Sequence, residues 1–159
     1  MLKKRVINIV TCLLSMGTGI LIRDKLVQNK INYWQKSADK YHKLFIMMNH
    51  WVNCKLDNKN IGNYLKENGY KDIAIYGVGC VGETLVEELR DSDIHIAYGI
   101  DRSANIIHSN IDVYTLDEDL TCVDVVIVTA VTYYDEIKRE LERKVNCPII
   151  SLDDILCDI

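Results

Sequence analysis

The residues most able to do chemistry are three glycines spaced G-x-G-x-x-G in IAIYGVGCVG, residues 73–82. Gly77 permits a tight turn, Gly79 removes a side chain so that a phosphate can approach the backbone, and Gly82 lets a helix pack closely on a sheet. Free N–H groups at the start of such a helix, with its dipole, favour an anion. The loop Gly77, Val78, Gly79, Cys80, Val81 and Gly82 is therefore a candidate phosphate cradle. Nineteen residues after Gly82 stands Asp101, ending YGID. Dinucleotide-binding folds place an acid near there to hold ribose hydroxyls. Arg102 is placed to meet a 2′-phosphate or stack on adenine, so NAD and NADP both stay open. A strand-end turn residue is the plain alternative for Asp101.

Other chemistry is sparse. Cys80 sits in the loop at a helix start, where a thiolate is favoured, although such a position commonly holds a small residue. Thr129 and Ala130 end a strand on the same crevice, as ligand contacts or as packing. Tyr134 and Lys138 form Y-x-x-x-K, the acid–base pair of short-chain dehydrogenases and sugar epimerases. Those enzymes carry it more than a hundred residues beyond the glycine loop, whereas Tyr134 follows Gly77 by fifty-seven. The match is read as coincidence, and no catalytic residue is assigned. The histidines at 42, 50, 95 and 108 are scattered, and the six cysteines show no C-x-x-C, so no metal site is expected. The cysteines read as reduced, mostly small core residues.

These residues need strands and helices to place them. DIAIY (72–76), HIAYGI (95–100), DVY (112–114), VDVVIVTA (123–130) and CPIIS (147–151) read as strands. Residues 81–90 and 133–144 read as helices, the second capped by Thr132 and Asp135 and carrying Asp135–Arg139 and Glu140–Lys144 pairs. Residues 117–120 read as one helical turn behind a Thr115/Glu118 capping box, and Ser151 with Asp154 caps a final turn. A short helix at 61–68 stops at Gly69. Strands alternating with helices predict an α/β fold: a Rossmann-like parallel sheet of four to five strands with helices on both faces, after a long N-terminal helix.

Ahead of this domain (57–159) lie two segments. Residues 6–22 are seventeen residues without a charge, behind MLKKR. An uncleaved membrane anchor over 1–23 is the leading expectation; a secretory signal peptide and a buried core helix are the rivals. Residues 24–56 carry Val27, Ile31, Trp34, Ala38, Tyr41, Phe45, Met48 and Val52 at alternating spacings of four and three. This heptad seam predicts a helix buried along one stripe, in a homo-oligomer through residues 27–52 or by packing on the domain.

The chain has 159 residues, 48% hydrophobic and 26% charged, enough for one core. Its net charge of −4 is uneven. Residues 1–43 carry nine Lys/Arg and two Asp/Glu; residues 44–159 carry ten and twenty-one. The acidic globular part argues against nucleic acid as a partner.

KDIAIYGVGCVGETLVEELRDSDIHIAYGIDRSA and DVVIVTAVTYYDEIKRELERKVNCPIISLDDIL together resemble the small Rossmann-like domains of bacterial surface-polysaccharide and sugar-modifying proteins. Examples are the nucleotide-binding region of membrane-bound nucleotide-sugar dehydratase/epimerases and the C-terminal domain of sugar C-methyltransferases. The resemblance covers residues 61–156. It implies NAD, NADP or a nucleotide-sugar at Gly77, Gly79, Gly82 and Asp101, in an accessory or sensor module on the cytoplasmic membrane with its globular domain in the cytoplasm. With four or five strands and no second domain, the chain is expected to bind without reacting. The alternatives are an NAD(P)-dependent oxidoreductase or epimerase completed by a partner, and a structural module with an empty pocket.

Overall fold

The computed structural model describes the backbone of residues 2–159 and the side chains of residues 23–159. The chain divides into two compact units, Met1–His42 and Lys43–Ile159. Helix α1 is Leu2–Leu56. The expected anchor at 6–22 lies outside the residues whose side chains are described. Among the described residues, no helix is long and apolar enough to cross a membrane.

After α1 come α2 (Ile61–Glu67), β1 (Asp72–Tyr76), α3 (Cys80–Leu89), β2 (His95–Ile100), β3 (Val113–Tyr114), β4 (Val125–Val128), a 3₁₀ turn (Val131–Tyr133), α4 (Tyr134–Leu141), β5 (Ile149–Ser151) and α5 (Leu152–Asp158). The five strands form one sheet in the order β3-β2-β1-β4-β5, with every pairing parallel. The strand order reverses between β1 and β4. Chain growth in opposite directions from that point, with right-handed crossovers, requires the β1–β2 and β4–β5 connections to use opposite faces. That is observed: Leu85 and Leu89 of α3 join one core layer, and Ile137 and Leu141 of α4 join the other.

The period-two alternation of a strand distributes the rest. Ile73, Ile75, Val125 and Ile127 face the α3 layer; Ala74, Tyr76, Val126 and Val128 face the α4 layer. Both faces are covered, which is why these strands read as unbroken apolar runs. Gly69 ends the α2 segment at φ +80°, as its place after a short helix predicts.

Several local expectations are corrected. Residues 116–118 form a turn without a helix. There Glu118 Oε1 accepts both the Thr115 N–H and the Thr115 hydroxyl, so the hydroxyl is spent on the carboxylate and caps nothing. No side chain caps α4, because a 3₁₀ turn holding Thr132 intervenes. Arg139 Nε donates to the Asp135 carbonyl, and no ion pair joins Asp135 to Arg139 or Glu140 to Lys144 among the described residues. Ser151 caps α5 through the Asp153 N–H. Of the described cysteines, Cys54 is buried, Cys147 is half-buried, and Cys80, Cys122 and Cys157 are exposed.

The core also reaches back into α1. Met47, Trp51 and Cys54 are buried with Ile61, Leu65 and Leu156, so the compact unit starts before the break at 56–60. The clasp is Glu88 on α3, whose side chain is 5% exposed. Its carboxylate accepts Trp51 Nε1–H at 2.5 Å and the Ile61 N–H at 2.9 Å, and pairs with Lys55 Nζ at 3.1 Å. Removing it strands two donors in a nearly dry site. We predict that Glu88→Ala costs about 2–4 kcal/mol, seen as a lower urea midpoint at unchanged slope.

A second clasp fixes the β1–β4 register. The Asp124 carboxylate accepts the N–H groups of Lys71 and Asp72 at 2.8 and 2.9 Å, and these bonds hold its pKa below the ordinary value. A lowered folded pKa means the contribution is complete above the ordinary carboxylate range and is lost as pH falls through the folded value. Asp124→Asn should therefore flatten part of the fall in melting temperature below about pH 5, as pH drops through the lowered folded value.

Candidate functional site

The crevice at the carboxyl ends of β1 and β4, where strand order reverses, is the place that open α/β sheets offer a ligand. The glycine loop lies there. Gly77 leaves β1 at φ +95°, a conformation that L side chains rarely adopt. Its N–H donates to Ile100 O at 2.8 Å, tying the loop to β2. The buried Val78 side chain is seated on Gly99, where an added Cβ would fall 2.5 Å from Val78 Cγ2.

Gly82 and Gly79 meet opposite circumstances. A Cβ on Gly82 would lie 2.3 Å from Gly77 O and 3.1 Å from Gly77 C, both backbone atoms. A Cβ on Gly79 would meet nothing within 4 Å. Gly82 is thus demanded by the fold, whereas the space over Gly79 is open. Gly79 is the N-cap of α3 and no side chain caps the amides that follow. Cys80 is exposed on that first turn.

Asp101 directly follows β2 and closes the other side. One carboxylate oxygen accepts the Val78 N–H at 3.1 Å, and the other accepts the Ser103 N–H at 2.8 Å. Each oxygen keeps a further lone pair for an incoming hydroxyl. Arg102 turns to α4: its Nη2 is 3.3 Å from Glu140 and 3.9 Å from Glu136. Burial pushes the Tyr76 hydroxyl pKa up against the opposing pull of Arg102, so the phenol stays neutral.

Tyr76, Gly77, Asp101, Arg102, Ala130, Tyr133 and Ile137 together line a cleft of about 170 Å³. The sequence pattern locates four of these seven. It misses Tyr76 and Ile137, which read as strand and helix core, and Tyr133, whose position in a 3₁₀ turn has no clear signal. Enclosed ligand cavities run to ~300–1,000 Å³, so this cleft has room for one ring while the rest of a ligand follows the loop surface.

Thr129 packs behind the loop. It is 5% exposed, and its hydroxyl lies 2.5 Å from Gly77 O and 3.1 Å from Tyr76 O, supporting the loop from behind. The Tyr134 hydroxyl donates to Ile149 O at 2.8 Å, with Lys138 Nζ 5.7 Å from the ring centre. Its proton is engaged by the sheet, away from the glycine loop.

The contrast between the glycines gives a stability test. Gly82→Ala should cost about 2–3 kcal/mol, because only backbone could give way, while Gly79→Ala should stay within about 0.5 kcal/mol. Thermal and urea unfolding of the two variants measure this directly.

No protein-family model, no curated protein and no solved structure matches this chain.

Proposed function

We propose that this protein binds an adenine nucleotide, NAD(H) in preference to NADP(H), at the glycine loop. The observation that carries the reading is the Asp101 carboxylate held on the Val78 N–H beside an uncapped, unobstructed helix start. A diphosphate would take the N–H groups of the first turn of α3, replacing water as the partner of those amides. Ribose hydroxyls would donate to the free lone pairs of Asp101, and one ring would enter the cleft between Tyr133 and Arg102. A 2′-phosphate would face Asp101 and Glu140 while Arg102 is already paired with Glu140, which disfavours NADP.

The role that fits is an accessory or sensor module in surface-polysaccharide or nucleotide-sugar metabolism, attached to the cytoplasmic membrane through residues 6–22. This setting rests on the sequence resemblance and on the apolar N-terminal segment. The engagement of Tyr134 with Ile149 O favours binding over an epimerase or oxidoreductase reaction.

Calorimetric titration of the full chain with NAD⁺, NADH, NADP⁺ and a UDP-sugar tests the proposal. NAD(H) should bind, with NADP⁺ at least about tenfold weaker, a difference of about 1.4 kcal/mol. Gly79→Val should abolish binding without lowering the melting temperature. Tighter binding of the UDP-sugar than of NAD(H) would reassign the ligand, and failure of all four would reduce the domain to a scaffold.

A further inference from the structure

Most of the heptad stripe of α1 stays off the domain; of its members, Met48 packs against the core. Within Lys43–Ile159, the residues of α1 that enter the core are Met47, Trp51 and Cys54, with Leu44 and Met48 against them. Phe45 and Val52, on the stripe, are 69% and 54% exposed. Within Met1–His42, Val27, Ile31, Trp34 and Tyr41 of the same stripe are also exposed, the two aromatics at 61% and 63%. Exposure of this kind normally marks an interaction surface, because contiguous apolar patches beyond a few hundred Å² are unusual on monomers.

We propose that the stripe is covered by the α1 helix of a second copy of this chain. The 3–4 spacing is the repeat by which one helix seats its knobs between the residues of another. The positions that would flank such a seam are Gln28, Lys30, Gln35, Ser37, His42 and Asn49, with Leu44 and Trp51 turned into the core. Lys30 is the one full charge among them, so two copies meet without like-charge repulsion, while Lys36, Asp39, Lys40 and Lys43 fall outside the flanks. Large side chains alternate with the small Ala38, which leaves space for the Trp34 and Tyr41 rings. Aromatic side chains offer about 150–250 Å² each, so the six exposed stripe residues present on the order of 600 Å² per chain. Two copies would then remove ~1,200 Å², the lower bound of a standard specific interface.

The C-terminal end of the stripe has its own receptacle. Met48 and Val52 line a groove of about 540 Å³ with Trp51, Cys80, Glu83 and Thr84. A helix seated on Phe45 and Val52 fills it and comes to rest beside the first turn of α3.

Light scattering and sedimentation equilibrium of the full chain in mild detergent test this. The expected result is a dimer whose dissociation constant rises at least tenfold in Trp34→Asp/Phe45→Asp, with the far-ultraviolet circular dichroism of the folded chain retained. Because both side chains are exposed, folding should survive; Lys36→Asp/Lys40→Asp, off the seam, serves as the control and should dimerise as wild type. A monomer at about 100 µM would overturn the proposal. So would a dimer indifferent to the stripe substitutions, which would place the contact elsewhere, the 6–22 segment included.

Discussion

One close approach governs the site. The backbone of Gly82 lies so near the Gly77 carbonyl that no Cβ fits between them. That contact brings α3 down onto the end of β1 and fixes the path of the two residues between the turn and the helix. It decides where the first amides of α3 point and leaves Gly79 as the outermost element of the bend. Without it, the loop would need a longer connection and the helix start would move off the crevice.

The surrounding contacts maintain this one. Gly77 is held to β2 by its N–H, Val78 is seated on Gly99, and Thr129 backs the carbonyl of Gly77 from β4. The two strands that flank β1 thus grip the loop that leaves it, and Asp101 adds a carboxylate that reaches it from the side. A loop restrained from three directions loses little further entropy when a ligand settles on it, which is the advantage of a preformed site. Thr129 takes part in that crowding as a support behind the Gly77 carbonyl.

How much of this was legible depends on the range of the interaction. The strands and the five-stranded parallel arrangement follow from local apolar runs alternating with helical periodicity. The glycine spacing and Asp101 follow from a motif whose parts are fixed by the turn itself. Contacts between distant residues have no such local mark. Nothing in WVNCK indicates that Trp51 and Lys55 share one carboxylate on α3, and nothing in VTA separates Thr129 from Ala130. Heptad spacing shows that a stripe exists, but a long helix can carry two. The adjacent stripe through Met47, Trp51 and Cys54 is the one that meets the domain. Caps failed where a 3₁₀ turn displaced the helix start, an adjustment too small to alter the pattern of residue types.

The three-donor arrangement at Glu88 bears on how the protein can be divided. Cutting the chain at the polar break near residue 57 would look safe, because a strand-rich unit begins just after it. Such a cut would take away the indole and the ammonium that satisfy this carboxylate and leave it facing Ile61 alone, while opening the α3 layer where Met47, Trp51 and Cys54 had filled it. An expressed fragment meant for crystals or ligand screening therefore has to begin no later than Lys43, with the last turns of the helix retained as a covering for the sheet.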